Sequence, residues 1–197
     1  MSASAKRGVV ILLCAAAILA AALLHGRRPG VISGVVPVAV QIGGPFTLID
    51  QNGLTRTDGE FRGKLMLVYF GYTQCQEICT TELQSIAAAL DQLGERQKEV
   101  QPLFITVDPV NDTPELLKAF AANFSPRLLA LGGSEAQVTA AEQAYRVYAA
   151  KVRRSDGSFA IDHSSFIFLM GRDGKFLAQF GMNVPPEGIA QAIAKLL

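Results

Sequence analysis

Two cysteines and one histidine carry most of the chemical potential of this 197-residue chain, which has only three cysteines and two histidines in all. Cys75 and Cys79 stand four residues apart in the stretch GYTQCQEICTTEL, directly after the apolar run LMLVYF at 65–70. That places them at the carboxyl end of a strand entering a helix, where α/β proteins put their sites. Positions i and i+4 share a helix face, so both sulfurs can address one object. Nearby helix N-terminal amides are expected to lower both thiol pKa values and favour thiolate, the reactive and metal-ligating form. His163, preceded by Asp162 in Asp162-His163-Ser164, opens the apolar run SFIFLM at 165–170. An aspartate beside a histidine can hold the ring from behind, as metal-bound imidazoles require. The same residues also admit blander roles: two buried cysteines, a structural disulfide, and a hydrogen-bonded core histidine.

The number of ligands selects the metal if there is one. Two thiolates and an imidazole are one short of a closed zinc site, and the rest of the soluble region has no further Cys or His to complete it. Copper suits such a set: Cu(I) is content at low coordination number, and Cu(II) can add a water or carboxylate. Three cysteines are too few for a disulfide framework. Cys14, inside an apolar run, reads as a small filler, and His25 as decoration at its edge.

The elements that must position these residues follow from periodicity. FTLID (46–50), LMLVYF (65–70), PLFITV (102–107), LLAL (128–131), SFIFLM (165–170) and KFLAQF (175–180) read as strands. Helices are expected over 77–93, from Thr113-Pro114 onward, from Ser134 through about Tyr148, and over 186–196. Asp156-Gly157 turns a hairpin within 151–161, and Arg172-Asp173-Gly174 turns another. Strands alternating with helices imply a mostly parallel sheet covered on both faces, with an antiparallel edge from the last hairpin. Asp108 reads as the start of a turn and Asp112 as part of the next helix cap. Phe70 and Tyr72 are candidates to wall the site.

The N-terminus reads differently. Gly8 to Leu24 carries no charge and is just long enough to cross a hydrocarbon core. We expect residues 1–7 on the cytoplasmic side, a transmembrane anchor over 8–25, a Pro/Gly-punctuated linker over 26–42, and one folded domain over 43–197. A cleaved signal segment is the competing reading of the apolar run. A short basic start without an Arg/Ser-rich transit region points to a bacterial inner membrane, single-pass, with the domain in the periplasm. Four of the 18 basic residues flank the apolar run, leaving fourteen against seventeen acidic residues from Pro29 onward. A mildly acidic domain is a poor holder of phosphate backbones, which argues against nucleic acid as a partner.

Several motifs in unbroken order give the chain a family resemblance. GGPFTLIDQNG (43–53), GK-x-x-L-x-YFGYT-x-C-x-x-x-C (63–79), FITVDP-x-x-DTP (104–114), YRVYAAK (145–151) and DHSSFIFLM-x-x-DGKFL (162–177) together resemble the Sco/SenC proteins, membrane-anchored copper chaperones. The resemblance implies a thioredoxin-like α/β fold, a central mixed sheet flanked by helices with an inserted hairpin. It implies one copper ion, Cu(I) and/or Cu(II), held by Cys75, Cys79 and His163, with Asp162 behind the histidine. It also implies a client: the copper-centre subunit of a cytochrome c oxidase or another copper-accepting protein, with other periplasmic copper carriers as further partners. The chain departs from the family's usual C-P-D-x-C-P loop, having Gln76, Glu77 and Thr80 where the family has Pro, Asp and Pro. Without those prolines the helix start is expected to change.

The alternative function is a periplasmic thiol-disulfide oxidoreductase, with Cys75 as nucleophile and Cys79 as resolving thiol. Thioredoxin-like reductases use C-x-x-C and a proline opposite the pair, whereas this chain has C-x-x-x-C and no proline over 162–165. A peroxiredoxin-type enzyme would need a threonine three residues before its cysteine, and Thr73 is two before Cys75. A carrier that hands metal on, not a turnover enzyme, is the expectation.

Overall fold

The computed structural model describes residues 41–75 and 77–197. The expected anchor and nearly all of the expected linker lie outside the described residues. No helix among the described residues is long and apolar enough to cross a membrane.

Among the described residues, nine strands and four α-helices follow in chain order: β1 (Thr47–Asp50), β2 (Thr55–Thr57), β3 (Leu65–Gly71), α1 (Ile78–Gln92), β4 (Val100–Thr106), α2 (Pro114–Ala121), β5 (Leu129–Gly132), α3 (Glu135–Tyr145), β6 (Ala149–Arg153), β7 (Phe159–His163), β8 (Ile167–Met170), β9 (Phe176–Phe180) and α4 (Pro186–Ala194). Seven strands form one sheet in the order β2-β1-β5-β4-β3-β8-β9, and β6 and β7 pair separately as a hairpin. The mixed sheet with an inserted hairpin agrees with the expected fold. The expectation of a mostly parallel sheet needs correcting. Only β3–β4 and β4–β5 are parallel; β1–β2, β1–β5, β3–β8 and β8–β9 are antiparallel. The chain enters the sheet through a hairpin at one edge and leaves through another, so helical crossovers link only the three central strands.

Every residue of β3 is buried, because helices or loops cover both faces of the sheet there. Side chains still alternate. Leu65, Leu67 and Tyr69 pack with Leu83, Ile86 and Leu90 of α1, Leu117 of α2 and Ile189 of α4. Met66, Val68 and Phe70 point to the opposite core, with Val138, Ala141 and Tyr145 of α3. The parity of a residue on β3 therefore decides which core it enters.

Helix starts follow local chemistry. Thr113 Oγ1 accepts the Leu116 N–H at 3.4 Å and Pro114 occupies the first turn of α2. Ser134 and Gln137 form a reciprocal capping box at α3. That helix stops three residues short of the expected Tyr148, because Arg146 takes the left-handed conformation (φ 58°) that closes it. This early stop frees Ala149 to begin β6. The last helix likewise ends at Ala194 and not at Leu196.

Candidate metal centre

The helix α1 begins without a side-chain cap: Glu77 occupies the capping position and its carboxylate accepts nothing from the first turn. Cys75 takes that place. Its sulfur accepts the Cys79 backbone N–H at 3.4 Å, as an N-cap oxygen would. The loop is anchored beneath by Asp112. Its carboxylate, buried at the end of β4, accepts the Thr73 N–H at 3.0 Å, the Thr73 hydroxyl at 2.5 Å and the Thr106 hydroxyl at 2.5 Å. Burial raises the Asp112 pKa, partly offset by the hydrogen bonds from Thr106 and Thr73. Asp112 was expected in the cap of α2; that cap is Thr113, and Asp112 ties the cysteine loop to the sheet instead. Asp108 does begin a turn, with the Asn111 and Asp112 amides donating to its carbonyl.

Cys79 is wholly buried and Cys75 half-buried, and both are free thiols. Gly71 makes the room. A Cβ there would meet Cys79 Sγ at 2.8 Å and Phe104 Cε2 at 3.0 Å, so only glycine lets the helix bring its sulfur onto the strand end.

His163 arrives from the far side, at the end of β7, where it pairs with Ala149. The next residue clamps it: the Ser164 N–H donates to the Tyr148 carbonyl at 3.0 Å, and the Tyr148 N–H donates to Ser164 Oγ at 3.1 Å. The imidazole Nδ1 lies 3.1 Å from the Ser164 carbonyl, which fixes the proton on Nδ1 and leaves the Nε2 lone pair facing Cys79 Sγ at 3.5 Å. Tyr72 stands edge-on to the ring at 5.9 Å between centroids, and Tyr69 at 6.4 Å.

Cys75, Cys79 and His163 thus offer three ligand atoms within 4.8 Å of one another. The donor set fits a soft, low-coordinate cation: two sulfurs, one imidazole nitrogen, and an open side. Asp162 is not among them. It is exposed, and among the described residues the ring's hydrogen bond goes to the Ser164 carbonyl; Asp162 contributes charge alone.

The two thiols differ in proton affinity, contrary to the expectation that both would be lowered. A hydrogen bond from the Cys79 thiol, with help from His163 and the Cys79 amide, pulls the Cys75 pKa well down against the cost of burial. Cys79 is pushed up, by the neighbouring Cys75 and by burial. For His163, burial acts downward, but hydrogen bonds to Cys75 and the Ser164 carbonyl and the charges of Cys75 and Asp162 outweigh it, so its pKa is raised. A cavity of about 640 Å³ opens beside Cys75 and His163, lined also by Tyr72, Ile78, Arg154 and Ser165. Cys79 lies behind them.

Of the aromatics expected to wall the site, Tyr72 does so. Phe70 does not; it packs against Tyr145 and Phe168 in the other core. Tyr69, its neighbour in sequence, is the aromatic on the site's side. Reasoning from sequence missed Tyr69, Gly71, Ser164 and the Asp112–Thr73 tie. A parity count along β3 from Gly71 would have found the first.

The sequence model of the SCO1/SenC family matches residues 37–197. An SCO2-like protein of Rickettsia prowazekii is 39% identical over 154 residues, covering 77% of this chain and 75% of that one. Among solved structures, copper-bound ScoI of Bradyrhizobium japonicum is 42% identical with a TM-score of 0.74, over 79% of this chain and 99% of that one. BsSco, described as a member of the Sco family of cytochrome c oxidase assembly proteins with a disulfide switch, is 26% identical with a TM-score of 0.62, over 80% and 94%.

Proposed function

The chain belongs to the SCO1/SenC family, and from that premise we propose that it is a copper carrier that supplies the dinuclear copper centre of a cytochrome c oxidase, or keeps the cysteines of that centre reduced. The observation that carries this is the convergence of Cys75, Cys79 and His163 from two distant segments onto one point. Copper bound in the relative from Bradyrhizobium japonicum supports the choice of metal.

The chain's own groups divide the work. Cys75, with its lowered pKa, presents a thiolate at the mouth of the cavity. His163 offers Nε2 from the other wall, held by Ser164. Cys79 must give up its proton for both sulfurs to ligate, so loading releases a proton. An incoming client meets Cys75 and His163 first, and Cys79 is the last ligand to let go. We place the domain in the periplasm of a bacterial inner membrane, tethered through residues 8–25. A reporter fused after Leu197 that is active only outside the cytoplasm tests that placement.

The second reading, a thiol-disulfide oxidoreductase, draws on the same asymmetry: an accessible low-pKa Cys75 as nucleophile and a buried Cys79 as resolving thiol. One experiment separates them. Protein loaded with one Cu(I) is mixed with the copper-centre domain of an oxidase subunit, once with that domain's cysteines reduced and once with them disulfide-bonded. Transfer of copper to the reduced client supports the carrier. Reduction of the disulfide with no copper transfer in either arm replaces it with the reductase.

A further inference from the structure

Tyr69 is fully buried, and its hydroxyl makes no hydrogen bond of good geometry among the described residues, although the Cys79 sulfur and the Ser165 hydroxyl lie close enough to act on it. A sealed, unpaired hydroxyl is costly to keep in the middle of a core. Phenylalanine would pack the same space without that cost, as Phe70 and Phe104 do nearby. The hydroxyl therefore needs a reason to be there.

Its position supplies one. Tyr69 lies on the same face of β3 as Gly71, and an added Cβ at Gly71 would touch both Cys79 Sγ at 2.8 Å and Tyr69 Cε1 at 3.2 Å. The ring edge and the Cys79 sulfur thus flank one point in space. The ring also stands edge-on to His163. The two sulfurs are otherwise served unequally. Cys75 has the Cys79 backbone N–H at 3.4 Å. Cys79, wholly buried, has the Tyr72 backbone amide acting on it from one side only. As a thiolate ligand it would carry charge into a sealed site, where a second donor lowers the cost of that charge. A hydroxyl rotates freely about its C–O bond and can donate to whatever acceptor appears.

We propose that Tyr69 is a positioning residue of the metal centre, donating its hydroxyl to the Cys79 sulfur once that sulfur is a copper-bound thiolate. The inference rests on the copper reading above and adds a side-chain donor at Cys79: the Cys79 amide serves Cys75, and the Tyr72 amide and the Tyr69 hydroxyl serve Cys79. Such outer hydrogen bonds orient ligands and tune the metal they hold.

The test is Tyr69→Phe, which removes one oxygen and leaves the ring. Three quantities are measured on the full chain: Cu(I) affinity by chelator competition, the sulfur-to-Cu(II) charge-transfer band, and the unfolding midpoint of the metal-free protein. Affinity is expected to fall about tenfold. The band should move to lower energy, because a sulfur that loses a hydrogen bond becomes the better electron donor. The metal-free midpoint should hold or rise, since no bond is lost there. Affinity and band equal to the parent's overturn the proposal, as does a lowered metal-free midpoint with an unshifted band. Tyr145, buried in the opposite core, is the control. Tyr145→Phe should leave affinity and band unchanged, and an equal loss there shows that the effect does not come from the site and overturns the proposal. A parent that binds no copper brings down the copper reading and this inference together. A parent that binds and a variant that binds equally well bring down this inference alone.

Discussion

Asp50 and Tyr69 are equally sealed from solvent, one at the β1–β2 edge of the sheet and one beneath the cysteine loop. Around Asp50 the acceptors are well supplied: Oδ1 takes the Asn52 and Leu54 amides at 2.8 and 3.0 Å, and Oδ2 takes Arg56 Nε at 2.9 Å. Around Tyr69 the hydroxyl is left over, Cys79 is buried beside it, and Cys75 carries the lowered pKa. The Asp50 corner is complete in the free protein, and any change there is paid in stability. The cysteine corner is incomplete, and its shortfall matches what a bound cation and its ligand bonds would supply. Buried polarity thus has two signatures, saturated where it holds the fold and unsaturated where a ligand is due.

The sharpest way to break this contrast is at the sulfurs. Cys75→Ala or Cys79→Ala should lower Cu(I) affinity by more than about a hundredfold, with His163→Ala costing less, while the metal-free protein loses only about 1–2 kcal/mol of unfolding free energy, through the helix cap that Cys75 supplies or the buried volume that Cys79 fills. Chelator competition and thermal unfolding read the two arms. A variant that unfolds without losing copper would reverse the assignment of the two corners.

Asp50→Asn should do the opposite, lowering the unfolding free energy by about 2–4 kcal/mol and leaving copper affinity alone. Its pH dependence follows from direction. Burial acts upward on the Asp50 carboxyl, but the Leu54 and Asn52 amides and Arg56 outweigh it and hold its pKa below the ordinary carboxylate value. The stability it contributes is present above the unfolded pKa and is lost as pH falls through the lowered folded one. Denaturant unfolding against pH should show a flatter acid limb in Asp50→Asn than in the parent.

Gly71→Ala joins the two properties. Its Cβ would collide with the Cys79 sulfur, so it should cost about 1–3 kcal/mol of stability and weaken copper binding as well. Loss of one property without the other would show that the strand end and the sulfur are not in the contact described.

What the sequence made legible, and what it hid, divide along the same line. Cys75, Cys79 and His163 were readable because few residue types can do their chemistry and the chain has so few of them. The central strands were readable from apolar runs bounded by turn residues. β3 is buried on both faces, so its apolar run carries no alternation to say which aromatic faces which core, and Phe70 reads as a wall of the site although Tyr69 holds that side. The Asp112–Thr73 tie spans 39 residues, beyond any local pattern. The end of α3 turned on one left-handed residue, Arg146, which composition does not betray. The antiparallel join of β1 to β5 followed from topology and not from local propensity.

The smallest effect separates the two candidates for holding His163. Asp162→Asn should change Cu(I) affinity by less than about threefold, because an exposed carboxylate acts on the ring only through screened charge. A loss as large as that of His163→Ala would move the ring's support from the Ser164 carbonyl to Asp162.

Copper K-edge X-ray absorption on the full chain loaded with one Cu(I) asks the central question directly. Two sulfurs and one imidazole nitrogen around the metal, with the nitrogen scattering lost in His163→Ala, is the result expected from the convergence of Cys75, Cys79 and His163. A copper ion surrounded by sulfur alone in the parent, with a spectrum unchanged in His163→Ala, would contradict it.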